Sequence, residues 1–103
     1  MTSKYKNKPT ELDGMIFASK KEATRYQELK ILERIGKIRE LKLQVAYDLN
    51  VNDMHICKYV ADFTYRDDHD RLCVEDSKGF KNPLYKLKAR LMLACLNIRV
   101  IET

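Results

Sequence analysis

The chain has 103 residues, of which 45% are hydrophobic and 34% charged, and its formal net charge is +5. This length suits one compact domain and is too short for two, and no run of about 18 apolar residues predicts a transmembrane helix. The basic excess favours a polyanionic partner, and the odd number of cysteines without metal-ligand spacing predicts core thiols in place of a disulfide or zinc site: Cys57, Cys73 and Cys95.

The N-terminal residues 1–10 are polar and basic, which predicts a flexible arm ahead of a single domain at residues 11–103. Lys4, Lys6 and Lys8 of this arm are candidates for contacts with DNA phosphates. Because no apolar run follows the basic start, the pattern argues against a secretory signal. We therefore expect a cytoplasmic protein without a membrane partner.

Two helices and four strands are predicted after the arm. Ser19 is the expected N-cap of the first helix in a capping box with Glu22, and Gly36 is expected to end it. Asn82 and Pro83 are expected to open the second helix, which runs to about residue 96. Alternating apolar residues predict strands at residues 41–51, 58–65, 71–78 and 98–101. The order is helix, three strands in a meander, helix and strand, an α/β (α+β) arrangement.

Two acidic residues lie within apolar runs of neighbouring predicted strands. Asp62 lies in the first run, and Asp76 lies two residues before Lys78 in the second. Residues i and i+2 of a strand point to the same face, so Asp76 and Lys78 project together, and Asp62 lies beside them if the strands pair. Glu75 is a rival to Asp76, but alternation puts it on the opposite face. Converging charges of this kind cost stability, and they are what a divalent metal and a scissile phosphate require.

These residues predict a metal site for phosphodiester hydrolysis. Asp62 and Asp76 are suitable ligands for Mg²⁺ or Mn²⁺, and the backbone carbonyl of Ser77 would add a further oxygen. Lys78 would stabilise charge on the pentavalent phosphorus centre or orient the attacking water. Glu22 falls on the sheet-facing arc of the first helix, where it would be an outer ligand or would hold a water near the metal.

Each acidic candidate also has a structural explanation. Asp62 could be a solvent-facing carboxylate at a strand end. Asp76 and Lys78 could form an exposed pair worth a few tenths of a kcal/mol. Glu22 could serve the capping box alone, and Glu33 falls near the same line of the helix, so position alone does not choose between the two glutamates.

Basic residues near the second helix are candidates for holding a nucleic acid. Lys81 precedes the predicted helix, and Lys86 and Arg90 lie four residues apart, on one face of it. Contacts of such side chains with phosphates give affinity without sequence specificity. The alternative for this face is a solvated, charge-rich surface.

Five sequence blocks resemble a small phage and prophage family. That family, formerly a domain of unknown function, is assigned to the PD-(D/E)XK nuclease superfamily, and the resemblance extends from about residue 8 to residue 103. The blocks are TELDG at residues 10–14, FASKKEA at 17–23, LQ at 43–44, YVADF at 59–63 and DSKGF at 76–80.

The resemblance implies a restriction-endonuclease-like αβββαβ core, with a central mixed four-stranded sheet flanked by helices. It also implies Mg²⁺-dependent cleavage of DNA, with active-site equivalents at Glu22, Asp62, Asp76 and Lys78. Gln44 matches a glutamine that lies near the metal site in many nucleases of this kind. One position departs from the superfamily pattern, because alanine and not proline precedes Asp62.

We therefore expect a metal-dependent endodeoxyribonuclease without a small-molecule cofactor, acting in the bacterial host cell if a phage encodes it. A branched substrate such as a Holliday junction is attractive, because so short a chain has little room for a sequence-reading domain. Symmetrical cutting of branched or duplex DNA needs two active sites and hence a homodimer. The alternatives are a non-catalytic nuclease-fold module that binds DNA and a subunit of a larger phage DNA-processing complex.

Overall fold

The chain folds into a mixed four-stranded sheet flanked by two helices, which confirms the predicted fold class. The computed structural model describes residues 9–77 and 81–103. A two-stranded hairpin precedes the first helix. In chain order the elements are β1 (Thr10–Leu12), β2 (Met15–Phe17), α1 (Lys20–Arg34), β3 (Ile38–Val51), β4 (Met54–Asp67), β5 (Leu72–Asp76), α2 (Pro83–Leu96) and β6 (Ile101–Glu102).

Both helices begin where the sequence predicts. The Ser19 hydroxyl accepts a hydrogen bond of 3.1 Å from the backbone N–H of Glu22 at the start of α1, and the Asn82 side chain accepts one of 2.7 Å from Tyr85 at the start of α2. Gly36 follows the C-terminus of α1 with a φ of +83°, a left-handed conformation that glycine adopts without strain. Local signals thus determine the ends of α1 and the start of α2.

The strands of the main sheet lie in the order β3-β4-β5-β6. The first three pair antiparallel, and β6 pairs parallel to β5. Strand β3 begins at Ile38, three residues earlier than predicted, because its pairing register shifts between Arg39 and Lys42, where Glu40 has a φ of +59°. Such a bulge interrupts the alternation of side chains, so the apolar pattern starts only after it.

The last strand differs from the prediction of residues 98–101. Asn97 has a φ of +56°, and the N–H of Ile98 donates to the carbonyl of Met92 at 3.2 Å. These two residues therefore terminate α2, and pairing with β5 begins at Ile101. The third predicted strand, residues 71–78, is observed as Leu72–Asp76, and its position Lys78 lies outside the described residues.

The β1–β2 hairpin is absent from the sequence prediction. Its turn is formed by Asp13 and Gly14, which have φ values of +54° and +76°. An Asp-Gly pair is a strong signal for a two-residue hairpin turn with two left-handed residues. The strands on either side are too short to show an alternating pattern. The turn signal therefore had no strand signal beside it, and the hairpin was not predicted.

Within the part of the chain that the structure describes, the core consists of two hydrophobic clusters, one packed with each helix. On β4 the clusters meet between Ala61 and Phe63, so Asp62 lies at their boundary. The cluster on α1 contains Phe17, Ala23, Tyr26, Leu29, Ile38, Phe63 and Tyr65. The cluster on α2 contains Leu49, Tyr59, Ala61, Val74, Tyr85 and Met92.

The three cysteines are free and half-buried. Cys73 packs against the cluster on α1, and Cys57 packs against the cluster on α2. Within residues 9–77 and 81–103, no helix is long and apolar enough to cross a membrane.

Candidate active site

Asp62 lies on β4, one of the two interior strands of the main sheet, and connects it to the end of β5. Its Oδ2 atom accepts a hydrogen bond of 2.8 Å from the backbone N–H of Ser77, the residue that follows Asp76. The two strands pair antiparallel from Phe63 and Glu75 outward, so the next positions along them, Asp62 and Asp76, come together. The pairing on which the predicted convergence depends is therefore present.

Asp76 lies at the end of β5, with no exposed surface. The hydroxyl of Tyr59 donates to its Oδ2 atom at 2.6 Å. Burial and this hydrogen bond to a carboxylate raise the pKa of Tyr59 well above its usual range, and the charge of Asp62 acts in the same direction. Tyr59 therefore remains a neutral donor that fixes the orientation of the Asp76 carboxylate.

Glu22 reaches the site from α1 through Gln44. Glu22 is 5% exposed, although its side chain is ionisable and it lies in the first turn of the helix. The side-chain amide of Gln44 donates to Oε2 of Glu22 at 3.1 Å and lies 3.5 Å from Oδ1 of Asp62. One amide group thus bridges two carboxylates that belong to different elements.

The backbone of Gln44 is unusual for a strand residue. Its φ is +54°, a left-handed conformation that costs a non-glycine residue roughly 1–2 kcal/mol. Gln44 lies opposite Asp62, between the paired positions Leu43–Phe63 and Val45–Ala61. Strain of this kind concentrates at functional sites, and here it accompanies the side chain that joins Glu22 to Asp62.

Glu33, the other glutamate on the predicted arc of α1, lies elsewhere. Its carboxylate accepts from Lys30 at 3.4 Å and from the backbone N–H of Leu41 at 3.2 Å. It connects α1 to the start of β3 and takes no part in the cluster around Asp62. The structure therefore chooses between the two glutamates that helical position alone left equivalent.

The donor set fits a magnesium ion held by two carboxylates. Asp62, Asp76 and the Ser77 backbone supply oxygen atoms only, which is the ligand type that Mg²⁺ prefers, and one or two carboxylates are usual for this ion. Among the described residues, no group of three or more acidic, histidine or cysteine side chains is arranged to hold a metal. Glu22 is separated from Asp62 by the Gln44 amide, which suits an outer position for Glu22.

Glu75 projects away from Asp76, as strand alternation predicts, and it anchors α1. Its two carboxylate oxygens accept hydrogen bonds of 2.8 and 2.7 Å from Arg25, and the Tyr65 hydroxyl also donates to it. Glu75 has no exposed surface. Sequence reasoning missed Arg25, although it lies three residues after Glu22 and so on a neighbouring line of the same helix face.

The predicted nucleic-acid contacts are only partly within the described residues. Lys86 and Arg90 are exposed on α2. Lys81 forms an ion pair of 2.9 Å with Glu102 of β6, whose pKa is lowered by that hydrogen bond and by one from Tyr85. The other candidates, Lys4, Lys6, Lys8 and the active-site candidate Lys78, lie outside the described residues.

Comparison with known proteins identifies the family of this chain. Neither the curated proteins nor the solved structures include a match to this chain. The model of the family described as protein of unknown function DUF1064 matches residues 2–99. Because the match covers nearly the whole length, the chain belongs to the DUF1064 family.

Proposed function

We propose that this protein is a metal-dependent endonuclease that hydrolyses phosphodiester bonds of DNA. The observation that carries the proposal is the 2.8 Å hydrogen bond from the Ser77 N–H to Asp62, which joins the strand ends bearing the two carboxylates. Two neighbouring carboxylates each disfavour the charged form of the other, and a divalent cation that binds both removes this cost. A function in metal binding accounts for both Asp62 and Asp76 at one point of the sheet.

Asp62, Asp76 and the Ser77 carbonyl are the groups that would hold Mg²⁺ or Mn²⁺. When bound, such an ion polarises a phosphate oxygen and lowers the pKa of water. Tyr59 keeps the Asp76 carboxylate in one orientation. Gln44 keeps Glu22 beside Asp62, and in this proposal Glu22 would hold a water molecule near the scissile phosphate and accept a proton from it.

Lys78 completes the proposed chemistry. Its ammonium group would stabilise the negative charge that develops on the phosphate oxygens in the transition state. The sequence supports this role through the two-residue spacing from Asp76, and Lys78 itself lies outside the described residues.

Plasmid and branched-DNA cleavage assays test the proposal. Supercoiled plasmid and a synthetic four-way junction are incubated with the pure protein and Mg²⁺, Mn²⁺ or a chelator. We expect cutting that requires the metal. Asp62→Asn and Asp76→Asn should reduce it by more than about 10–100-fold, which is the cost of losing a residue that only supports a metal ligand. Asp68→Asn in the exposed turn after β4 should cut like the wild type.

The outcomes of this assay separate the proposal from its alternatives. DNA binding without cutting under either metal would contradict the nuclease and favour a non-catalytic DNA-binding module. Cutting that appears only after other proteins are added would favour a subunit of a larger complex. Preference for the junction over the linear duplex would identify branched DNA as the substrate.

Symmetrical cutting also requires two copies of the site, because one site cleaves one strand at a time. We therefore include a homodimer in the proposal, since cyclic dimers place two identical sites about a two-fold axis. Light scattering during size-exclusion chromatography, with and without DNA, measures the mass. A monomer in both conditions that still makes paired cuts in a junction would contradict the dimer.

A further inference from the structure

A groove lies beside the candidate active site, between the N-terminal half of α1 and the ends of β5 and β6. It encloses about 460 Å³ and is lined by five residues of α1 together with Ser77 and Thr103. This volume falls within the roughly 300–1,000 Å³ of typical ligand sites. The contacts described above for Glu22, Arg25 and Glu33 of α1 do not explain why this space is open.

Ser77 belongs to both the groove and the active site. Its backbone N–H donates to the Asp62 carboxylate at 2.8 Å, while its hydroxyl lies 2.8 Å from the hydroxyl of Thr103. The N–H of Thr103 in turn donates to the backbone carbonyl of Asp76 at 3.1 Å. Ser77 therefore connects the candidate active site to the groove.

Lys20, Lys21 and Arg25 line the groove with cationic side chains. Arg25 is held by the buried Glu75 through two hydrogen bonds and by Glu28 at 3.0 Å, so its charge is neutralised within the protein. Lys20 and Lys21 are exposed residues at the N-terminal end of α1. The ammonium group of lysine is a compact charge that suits a phosphate.

The groove is open along the surface. Lys20, Lys21, Thr24 and Glu28 are all exposed, whereas a site for a free small molecule typically buries most of its ligand. An open channel with lysines at its rim and the hydroxyls of Thr24 and Ser77 in its lining suits a polymer that passes through, with its phosphates facing the cations.

We propose that this groove binds the DNA phosphate next to the one that is cleaved, with Lys20 and Lys21 as its contacts. This inference rests on the proposed nuclease function and adds a site to it. The proposed phosphate site lies on α1, on the side of the active site where Ser77 and Thr103 lie. It positions the strand through its backbone and contributes nothing to sequence preference.

The first test compares two double variants with the same change in charge. Lys20→Gln with Lys21→Gln alters the groove, and Arg34→Gln with Lys37→Gln alters exposed residues at and just beyond the other end of the same helix. Binding to duplex DNA is measured by fluorescence anisotropy in Ca²⁺ over a range of salt concentrations. The slope of log Kd against log salt should fall by about 0.9 for each phosphate that the groove variant no longer neutralises, with a clearly smaller change in the control.

The second test locates the phosphate. Single methylphosphonates, which are neutral, are placed in turn along one strand around the cleaved bond. We expect one position, adjacent to that bond, to weaken wild-type binding and to leave binding by the groove variant unchanged. Thr24→Trp, which fills the groove without altering charge, should weaken binding as well. Thermal unfolding monitored by circular dichroism verifies that each variant is folded.

The outcomes distinguish this inference from the proposed function. Equal salt slopes for the two double variants, or the same methylphosphonate profile in the wild type and the groove variant, overturn the phosphate site while leaving metal-dependent cutting intact. Competition by inorganic phosphate or a free nucleotide at micromolar concentration also overturns it, because the groove would then be a small-molecule site. A wild type that neither binds nor cuts DNA overturns both.

Discussion

At the residue scale, Gln44 is the part of the site that sequence patterns describe least well. The sequence marks it as a polar residue of an alternating strand, and only the family resemblance assigns it to the site. A left-handed φ of +54° within a strand has no signature in the alternation of side chains. The amide that links Glu22 to Asp62 therefore depends on a backbone conformation that emerges only from the folded sheet.

Glycine and alanine at this position should reveal the backbone strain. Both Gln44→Gly and Gln44→Ala remove the amide, so their difference reports the backbone alone. We expect the glycine variant to be more stable by about 1 kcal/mol, because alanine is strained in the left-handed conformation. Urea denaturation measures the free energy of unfolding. At Ala46, which pairs regularly with Val60, Ala46→Gly should instead destabilise by about 0.5–1 kcal/mol, and the same sign at both positions would contradict the assignment.

Tyr59 offers a second prediction at this scale. Tyr59→Phe removes the donor to a fully buried carboxylate, and a buried acceptor that loses its partner costs about 1–3 kcal/mol. Tyr47 lies opposite Tyr59 on β3 and is half-buried, so Tyr47→Phe is the matched control, with an expected cost under about 0.5 kcal/mol. Denaturant midpoints of the two variants make the comparison, and equal midpoints would refute a holding role for the Tyr59 hydroxyl.

At the scale of elements, the pair Arg25–Glu75 connects α1 to β5. Alternation correctly predicted that Glu75 faces away from Asp76, but it gave that side chain no role. The structure shows a bidentate ion pair between residues 50 positions apart. Because Glu22 lies one turn before Arg25 and Asp76 directly follows Glu75, this pair also fixes how the two site-bearing elements lie relative to each other.

Breaking this pair should be far more costly than breaking a surface pair. Arg25→Met leaves the buried Glu75 carboxylate without its cation, and Glu75→Gln leaves Arg25 without its carboxylate. Removing one partner of a buried pair costs about 3–5 kcal/mol. Lys30→Ala on the same helix removes a half-exposed pair with Glu33 and should cost less than about 1 kcal/mol. Chemical denaturation of the single variants and of Arg25→Met with Glu75→Met tests this, and additive losses would show that the two residues act independently.

The predictable parts of the fold are those that depend on neighbouring residues. Ser19, Asn82 and Pro83 determine helix starts through their own hydrogen bonds and dihedral angles, so their roles can be read from the sequence. The bulge at Glu40 and the left-handed cap of α2 at Asn97 alter local geometry without altering composition. Strand limits were therefore wrong by several residues and the β1–β2 hairpin was missed, while the order of the two helices and the four strands of the main sheet was correct.

At the scale of the whole molecule, the tyrosines make the fold sensitive to alkaline conditions. Burial raises the pKa of every tyrosine within the described residues: Tyr26, Tyr47, Tyr59, Tyr65 and Tyr85. A group whose pKa is higher in the folded state contributes its full stability below its unfolded pKa, which is about 10 for tyrosine. That contribution is lost as the pH rises from there through the folded pKa.

Alkaline titration should therefore show delayed ionisation coupled to unfolding. We expect the free energy of unfolding to fall above about pH 10, and the ultraviolet absorbance of tyrosinate to rise for most residues together with the loss of ellipticity. Tyr59→Phe should make the decline above about pH 10 shallower. Independent ionisation of all tyrosines near their unfolded pKa in a protein that stays folded would contradict this expectation.

The hydrogen bonds of the site differ in how much chain they enclose, and this bears on the order of folding. The bond between Ser77 and Asp62 spans 15 residues, whereas that between Arg25 and Glu75 spans 50. Closing the longer loop costs about 1 kcal/mol more in chain entropy.

We expect the meander that carries both aspartates to form in the folding transition state, with α1 docking afterwards. The kinetic φ-value of a substitution is the ratio of its effect on the folding barrier to its effect on stability. A high ratio for Val74→Ala and a low ratio for Leu29→Ala would support this sequence of events, and the reverse would contradict it. On this view, the two aspartates come together before Glu22 joins them.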